Sequence, residues 1–237
     1  MIGTGNGLMI AQMTDAFRMP KDFESLVYLS LILQAEGIRY GVEHWRRNRK
    51  RVSGTLIWQL DDCWPVASWA SLDYYGRWKA LHYATKRFYA PLLLSVEDIG
   101  PKMAVHLTSD LLEPVDVHVK WRLETFNGGV LKSGEKTVHA AVLQDTLVGV
   151  YDFTAEVTDR GALSVASRKL VFICEYKHMP SNLSGYLVTT FVPNKHLELY
   201  DPGLTSIMVE KDCLLTICVR ASSLARFVEL SFEGVDV

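Results

Sequence analysis

The spacing of apolar positions divides the chain into two territories. As far as about Tyr89 the period is helical. Phe23, Leu26, Val27, Ser30, Leu31, Gln34 and Ile38 share one helical face, widened by Leu29, Ile32 and Leu33. Residues 22–48 therefore predict one long helix with more than one packing neighbour, and Pro20 suits its start. Thr55-Leu56-Ile57-Trp58 is a short apolar run without alternation and predicts a buried strand. Polar residues begin at Gln59. A second helix is expected over residues 78–88, where Leu81, Tyr83, Ala84 and Phe88 recur at helical spacings and Pro91 follows.

From about Leu92 the period falls to two. Residues 103–108 and 115–123 alternate apolar and polar, and Asn127-Gly128-Gly129 is a turn signal. Further strands are expected at residues 137–142, 147–153, 169–176 and within 185–191. Several short strands separated by turns predict an immunoglobulin-like sandwich. Residues 197–199, 206–210, 214–220 and 227–232 predict the opening strands of a second one.

Bulk composition narrows the function classes. The 237 residues are 49% hydrophobic and 22% charged, as in ordinary globular proteins. A net charge of -2 makes no general case for nucleic acid or an anionic membrane. The basic run at residues 46–51, RRNRKR, follows the long helix, where cations also suit the dipole. No segment has the uninterrupted apolar length that crosses a bilayer, and the N-terminal residues lack the pattern of a signal peptide. Cys63, Cys174, Cys213 and Cys218 form no CxxC pair, so neither a metal nor a dense disulfide framework is expected, and no cofactor is indicated. The cytoplasm is the expected compartment, with a secreted, vacuolar or lysosomal one left open. Asn182-Leu183-Ser184 is a glycosylation sequon.

Candidate chemistry concentrates in residues 54–91, GTLIWQLDDCWPVASWASLDYYGRWKALHYATKRFYAP. Four of the six tryptophans lie there, Trp58, Trp64, Trp69 and Trp78, beside Asp61, Asp62 and Asp73. Aromatic faces pack against the C–H face of a pyranose, and carboxylates accept from its hydroxyls. The competing reading is a packed core with surface acids, since large aromatics mostly fill cores. The order strand, long loop, helix puts Trp58 and the loop at residues 59–76 where barrel and doubly wound folds carry their ligand-contacting residues.

This segment resembles the last strand, loop and helix of the catalytic barrel in β-mannosidases of glycoside hydrolase family 2, above all the fungal intracellular type. The similarity continues through FRMPKDFESLVYLSLILQAEGIRYGVEHWRRNRK (17–50), FVPNKHLELYDPG (191–203) and SLARFVELSFEGVDV (223–237). It implies the C-terminal part of a (β/α)8 barrel at residues 1–93, an immunoglobulin-like sandwich at 94–192 and the start of a second, truncated sandwich at 193–237. The chain then reads as an internal fragment of a larger enzyme.

The resemblance further implies an exo-acting hydrolase releasing terminal β-linked mannose from the non-reducing end of oligosaccharides or glycoprotein-derived glycans. Retaining enzymes use two carboxyl groups about 5–5.5 Å apart. In the family both are glutamates on earlier barrel strands, upstream of the matched stretch, so no catalytic residue is assigned here. Glu24, Glu36 and Glu43 on the long helix read as solvated or salt-bridged surface. Trp58 matches the platform beneath the sugar at the cleaved bond. Asp62 is a candidate for sugar hydroxyls or for holding the loop, and Asp61 departs from the common Asn-Asp pattern. Trp64 and Trp69 are candidates for the pocket mouth. The alternatives are an exo-β-glucosaminidase or other family 2 glycosidase, and a non-catalytic carbohydrate-binding or scaffold module. Oligomeric state is left open.

Overall fold

The computed structural model describes residues 5–160, 162–212 and 214–232. Three helices come first: α1 (Gly5–Ala16), α2 (Phe23–Arg47) and α3 (Ala80–Phe88). The long helix stands where its apolar face predicted. Asp22 caps it, accepting from the Ser25 backbone N–H at 2.7 Å, which satisfies one of the free donors of the first turn. Asn48 follows the last turn. Val42 and Ala35 of α2 meet Leu81, Ala84 and Phe88 of α3 in one buried cluster, and Met13 and Phe17 from the α1 end meet Ile32 of α2 in another.

Residues 55–58 correct the expected strand. They are extended, but no ladder forms, and among the described residues the first strand begins at Leu92. Burial alternates there: Thr55, Ile57 and Gln59 are half-buried, whereas Leu56, Trp58 and Leu60 are exposed. Ile57 packs on the α2–α3 cluster. One edge of the segment is thus held by helices while its backbone has no neighbouring strand, and an apolar run alone cannot supply one.

Seven strands build the next unit. β1 (Leu92–Ile99), β2 (Lys102–Ser109) and β5 (Asp145–Asp152) form one antiparallel sheet in the order β1-β2-β5. The other sheet runs β4 (Val130–Ala140), β3 (Val115–Thr125), β8 (Leu170–His178), β9 (Leu183–Thr190). The short pair β6 (Thr158–Asp159) and β7 (Ala162–Leu163), with one helical turn α4 (Thr154–Val157), lies between β5 and β8 in sequence. Inner faces from both sheets share a core that includes Leu94, Val105, Val119, Phe153 and Phe172, as an immunoglobulin-like sandwich requires. Trp121 flanks this core 4.6 Å from Tyr151 between ring centroids. Its indole lies over Gly134 of β4, where an added Cβ would stand 2.8 Å away. The Asn127-Gly128-Gly129 signal is the β3–β4 turn. Gly128 adopts φ +85°, and the Thr125 N–H bonds to the Gly129 carbonyl at 2.8 Å.

The strand expectations shift in four places. β1 was not individually predicted, because Leu92 to Val96 are all buried and carry no alternation. β4 starts well before residue 137, at Val130, in a first half that is largely exposed and lacks apolar-polar alternation. Residues 197–199 form no strand: Leu197 follows a short turn and is buried against Phe126 and Val171. Beyond them, β10 (Thr205–Lys211) and β11 (Leu214–Arg220) pair as a hairpin whose described residues are almost all exposed. Residues 227–232 make no extended ladder either. Phe227 instead meets Phe17 edge-on at 6.0 Å, and its carbonyl accepts from the Tyr28 hydroxyl.

Two arginines of the basic run turn inward, while Lys50 and Arg51 stay exposed. Arg46 donates to the Phe88 carbonyl and, at 2.7 Å, to Asp110. Arg49 donates to the Ser109 carbonyl and to the second Asp110 oxygen, both at 2.6 Å. The end of α2 is thereby fastened to the residues that follow β2. Glu43 corrects the surface assignment. It is buried, paired with Arg39 at 3.0 Å, and burial pushes its carboxyl pKa up. Glu36 takes the other side of the same guanidinium.

Candidate functional site

Residues 54–79 leave the α2–α3 cluster, form a wide loop and return to start α3. Backbone bonds fold the loop on itself: Ser71 N–H to the Gln59 carbonyl at 3.1 Å, Leu72 N–H to Leu60 at 2.8 Å, and Lys79 N–H to Ser71 at 3.0 Å. Single bridges join Leu72 to Asp61 and to Trp78. Ala70 and Ser71 are the buried floor of this fold. The Ser71 hydroxyl reaches the Leu60 carbonyl at 2.9 Å and His82 Nδ1 of α3 at 3.0 Å.

Trp58 lies at the loop's entry with 77% of its surface exposed, and the Trp58–Gln59 peptide is cis. Trp64 and Trp69 are 63% and 60% exposed. These three tryptophans are not core. Gln34 of α2 donates to the Trp69 carbonyl at 2.8 Å, which fixes that residue's backbone while leaving its indole in solvent. Trp78 is less exposed. Its ring meets His82 edge-on at 4.3 Å and Tyr83 at 5.0 Å, with the Lys86 ammonium 5.8 Å from its centre.

The three acids divide by environment. Asp62 is buried. One oxygen accepts from the Ser68 hydroxyl and the other from Lys79 Nζ at 3.0 Å. The Ser68 bond above all, with Lys79, lowers its pKa against the opposing effect of burial. These bonds tie residue 62 across the loop to Ser68 and to the start of α3. Asp73 closes a tight turn, accepting from the Tyr75 and Arg77 N–H groups and, at 2.6 Å, from Arg77 Nε. Asp61 is exposed, and its carbonyl accepts from the Gln59 side chain at 2.7 Å. The sequence pattern places Gln34 on the α2 face but gives no site role to Gln34, Ser68, Lys79 or His82. They are ordinary polar residues: Gln34 and His82 meet the loop from α2 and α3, Ser68 and Lys79 meet Asp62 across it, and no local pattern marks them.

A groove of about 440 Å3 runs beside the loop, lined by Met9 and Gln12 of α1, by Ser30, Gln34 and Gly37 of α2, and by Ser68. Trp58, Trp64 and Trp69 do not line it. The loop therefore carries an outward aromatic surface and, separately, borders a groove through Ser68.

Among the described residues no group of three or more His, Cys, Asp or Glu is placed to hold a metal ion. Cys63 and Cys218 are exposed free thiols and Cys174 is a buried one, whereas Cys213 lies outside the described residues. Among the described residues no helix is long and apolar enough to cross a membrane.

Residues 101–196 match the family model of the mannosidase Ig/CBM-like domain. The β-mannosidase of Rattus norvegicus is 34% identical over 161 residues, 57% of this chain and 18% of that protein. β-Mannosidase B of Emericella nidulans is 28% identical over 215 residues, 84% of this chain and 25% of that protein. The chain thus spans about a fifth to a quarter of the length of these relatives. The crystal structure of the β-D-mannosidase from Dictyoglomus thermophilum superposes with a TM-score of 0.85 at 27% identity, over 97% of this chain and 27% of that one. The exo-chitosanase CsxA of Amycolatopsis orientalis shares the fold, with a TM-score of 0.65 at 15% identity. The resemblance to β-mannosidases carried by the sequence motifs holds for both sequence and fold.

Proposed function

We propose that residues 54–79 supply part of the sugar-binding surface of a glycoside hydrolase that removes terminal β-linked mannose, with Trp58 as the platform beneath the sugar ring. The observation that carries this reading is the outward exposure of Trp58, Trp64 and Trp69 on a single pinned loop, in a chain similar to β-mannosidases. An exposed indole at the head of a loop offers a flat apolar face to a pyranose and restricts its orientation. Trp64 and Trp69 stand at the mouth. Asp62 acts on the sugar through the loop rather than by contact, because its side chain is buried and bonded to Ser68 and Lys79.

The helices and the extended segment at residues 55–58 belong, on this reading, to a (β/α)8 barrel occupying residues 1–93. Residues 94–192 form the adjoining sandwich, and residues 193–237 begin another. The reaction is a double displacement that needs a nucleophilic carboxylate and an acid/base carboxyl. Both stand on barrel strands outside these 237 residues. This chain alone binds and orients but does not hydrolyse.

Intrinsic tryptophan fluorescence tests the binding. β-Mannobiose titrated into the chain is expected to perturb emission saturably, and Trp58→Ala is expected to remove most of that response. A response unchanged in Trp58→Ala, or none in the native chain at millimolar sugar, overturns the platform assignment. Hydrolysis of an aryl β-mannoside by the repurified chain overturns the placement of the carboxyl pair.

A further inference from the structure

We propose that Asn182 is a site of N-linked glycosylation. Asn182-Leu183-Ser184 is the one acceptor triplet in the sequence, and the fold sets it where a transferase reaches it. β8 ends at His178 and β9 begins at Leu183, so Asn182 closes the turn between two antiparallel strands. Asn182 and Ser184 are both exposed. Residue 187, further along β9, is buried in the sandwich core, so an acceptor placed there would be closed off. Asn182 has φ +55°, the left-handed region that asparagine enters more readily than most residues.

The two groups that such a transfer uses are free. Among the described residues neither the Asn182 amide nor the Ser184 hydroxyl has a hydrogen-bond partner, whereas neighbouring Ser181 is bonded to His178 Nδ1 at 2.5 Å. A Ser or Asn on a turn commonly bonds to its own backbone. Here both remain available.

The donor class is a lipid-linked oligosaccharide pyrophosphate. The bond from Asn182 Nδ2 to the sugar C1 forms as the C1–O bond to pyrophosphate breaks. The amide proton passes to a base of the transferase, and the lipid pyrophosphate leaves with the bonding electrons. Such a modification places the chain on a secretory route in place of the expected cytoplasm. It stands apart from the sugar-binding reading, because the turn shares no residue with the loop at 54–79.

The experiment uses protein purified from the cells that make it. Trypsin releases the peptide at residues 178–195, which contains the sequon. The expected result is depletion of the unmodified peptide, a ladder of glycan masses on it, and recovery after peptide-N-glycosidase treatment with aspartate at position 182. Asn182→Gln and Ser184→Ala should each abolish the ladder, and Ser184→Thr should keep it. Unchanged melting temperatures in all three variants separate loss of the glycan from loss of the fold. An entirely unmodified peptide in the native protein, or a glycan that survives Asn182→Gln, overturns the proposal.

Discussion

The sandwich and the loop at residues 54–79 use the same side chains in opposite ways. In the sandwich, Phe153 and Phe172 are sealed between sheets and Trp121 packs against them. In the loop, Trp58, Trp64 and Trp69 face outward, and Tyr75 stands exposed nearby. The backbones are held differently as well. Two antiparallel sheets with a continuous core carry the sandwich. The loop depends on a few polar pins, chiefly Asp62 with Ser68 and Lys79, Ser71 with His82, and Gln34 with the Trp69 carbonyl. Aromatic density alone therefore does not identify a core. What separates the two regions is whether apolar groups or polar bonds fix the chain.

The contrast is open to attack from both sides. The largest effect is expected from Phe172→Ala. Truncating a fully buried aromatic costs about 3–5 kcal/mol, so chemical denaturation should shift strongly, while surviving folded protein keeps its fluorescence response to mannoside. Trp58→Ala should behave in reverse. Stacking on an aromatic face is worth roughly 1–3 kcal/mol in nucleobase systems, which corresponds to about five- to about 150-fold in affinity. Its stability should stay within about 0.5 kcal/mol of the native chain, as for other exposed substitutions. If Trp58→Ala unfolds the protein instead, the indole is structural and the contrast fails at its centre.

Asp62→Ala sharpens the contrast without touching an indole. It removes the acceptor shared by Ser68 and Lys79, so limited proteolysis within residues 60–70 should accelerate while the sandwich melts as before. Equal rates of cleavage in both proteins would show that the backbone bonds alone hold the loop.

The smallest effect concerns acid. Asp152 accepts from the Thr154 hydroxyl and N–H and from Lys102, and these hold its pKa at about 2 against an ordinary value of 3.8. A lowered carboxyl pKa adds stability above the unfolded value, which fades as pH falls through the folded one. The melting-temperature gap between the native chain and Asp152→Ala should therefore be present at pH 7 and close between about pH 4 and pH 2. A gap that does not move with pH would assign the effect to the turn's geometry rather than to charge.

Elements with their own periodicity were legible before any coordinates. The α2 face, the Pro91 stop after α3, the alternation of β2 and β3 and the glycine turn after β3 all record local preferences. What escaped depends on partners distant in sequence. Residues 55–58 have strand composition but no neighbouring strand to bond. β1 hides its face because all of Leu92 to Val96 is buried. Residues 197–199 and 227–232 have strand-like composition yet serve as anchors, Leu197 in the sandwich's second apolar cluster and Phe227 against Phe17. The tryptophans of the loop were visible as types, but their exposure was not. The pins made by Ser68, Lys79 and His82 carried no signal, since nothing local distinguishes a polar residue that will meet its partner across the loop or on α3.

The joint at Asp110 has a consequence for anyone wishing to cut this chain. Its two carboxylate oxygens each take a different arginine, one from the last turn of α2 and one just beyond it. A sandwich excised from Leu92 onward would carry Asp110 away from both cations, and the helices left behind would carry a guanidinium that is buried in the intact chain. The seam in the fold and the seam in the electrostatics do not coincide. Shuffling this sandwich onto other helices requires moving the arginine pair with it, or replacing all three charges at once.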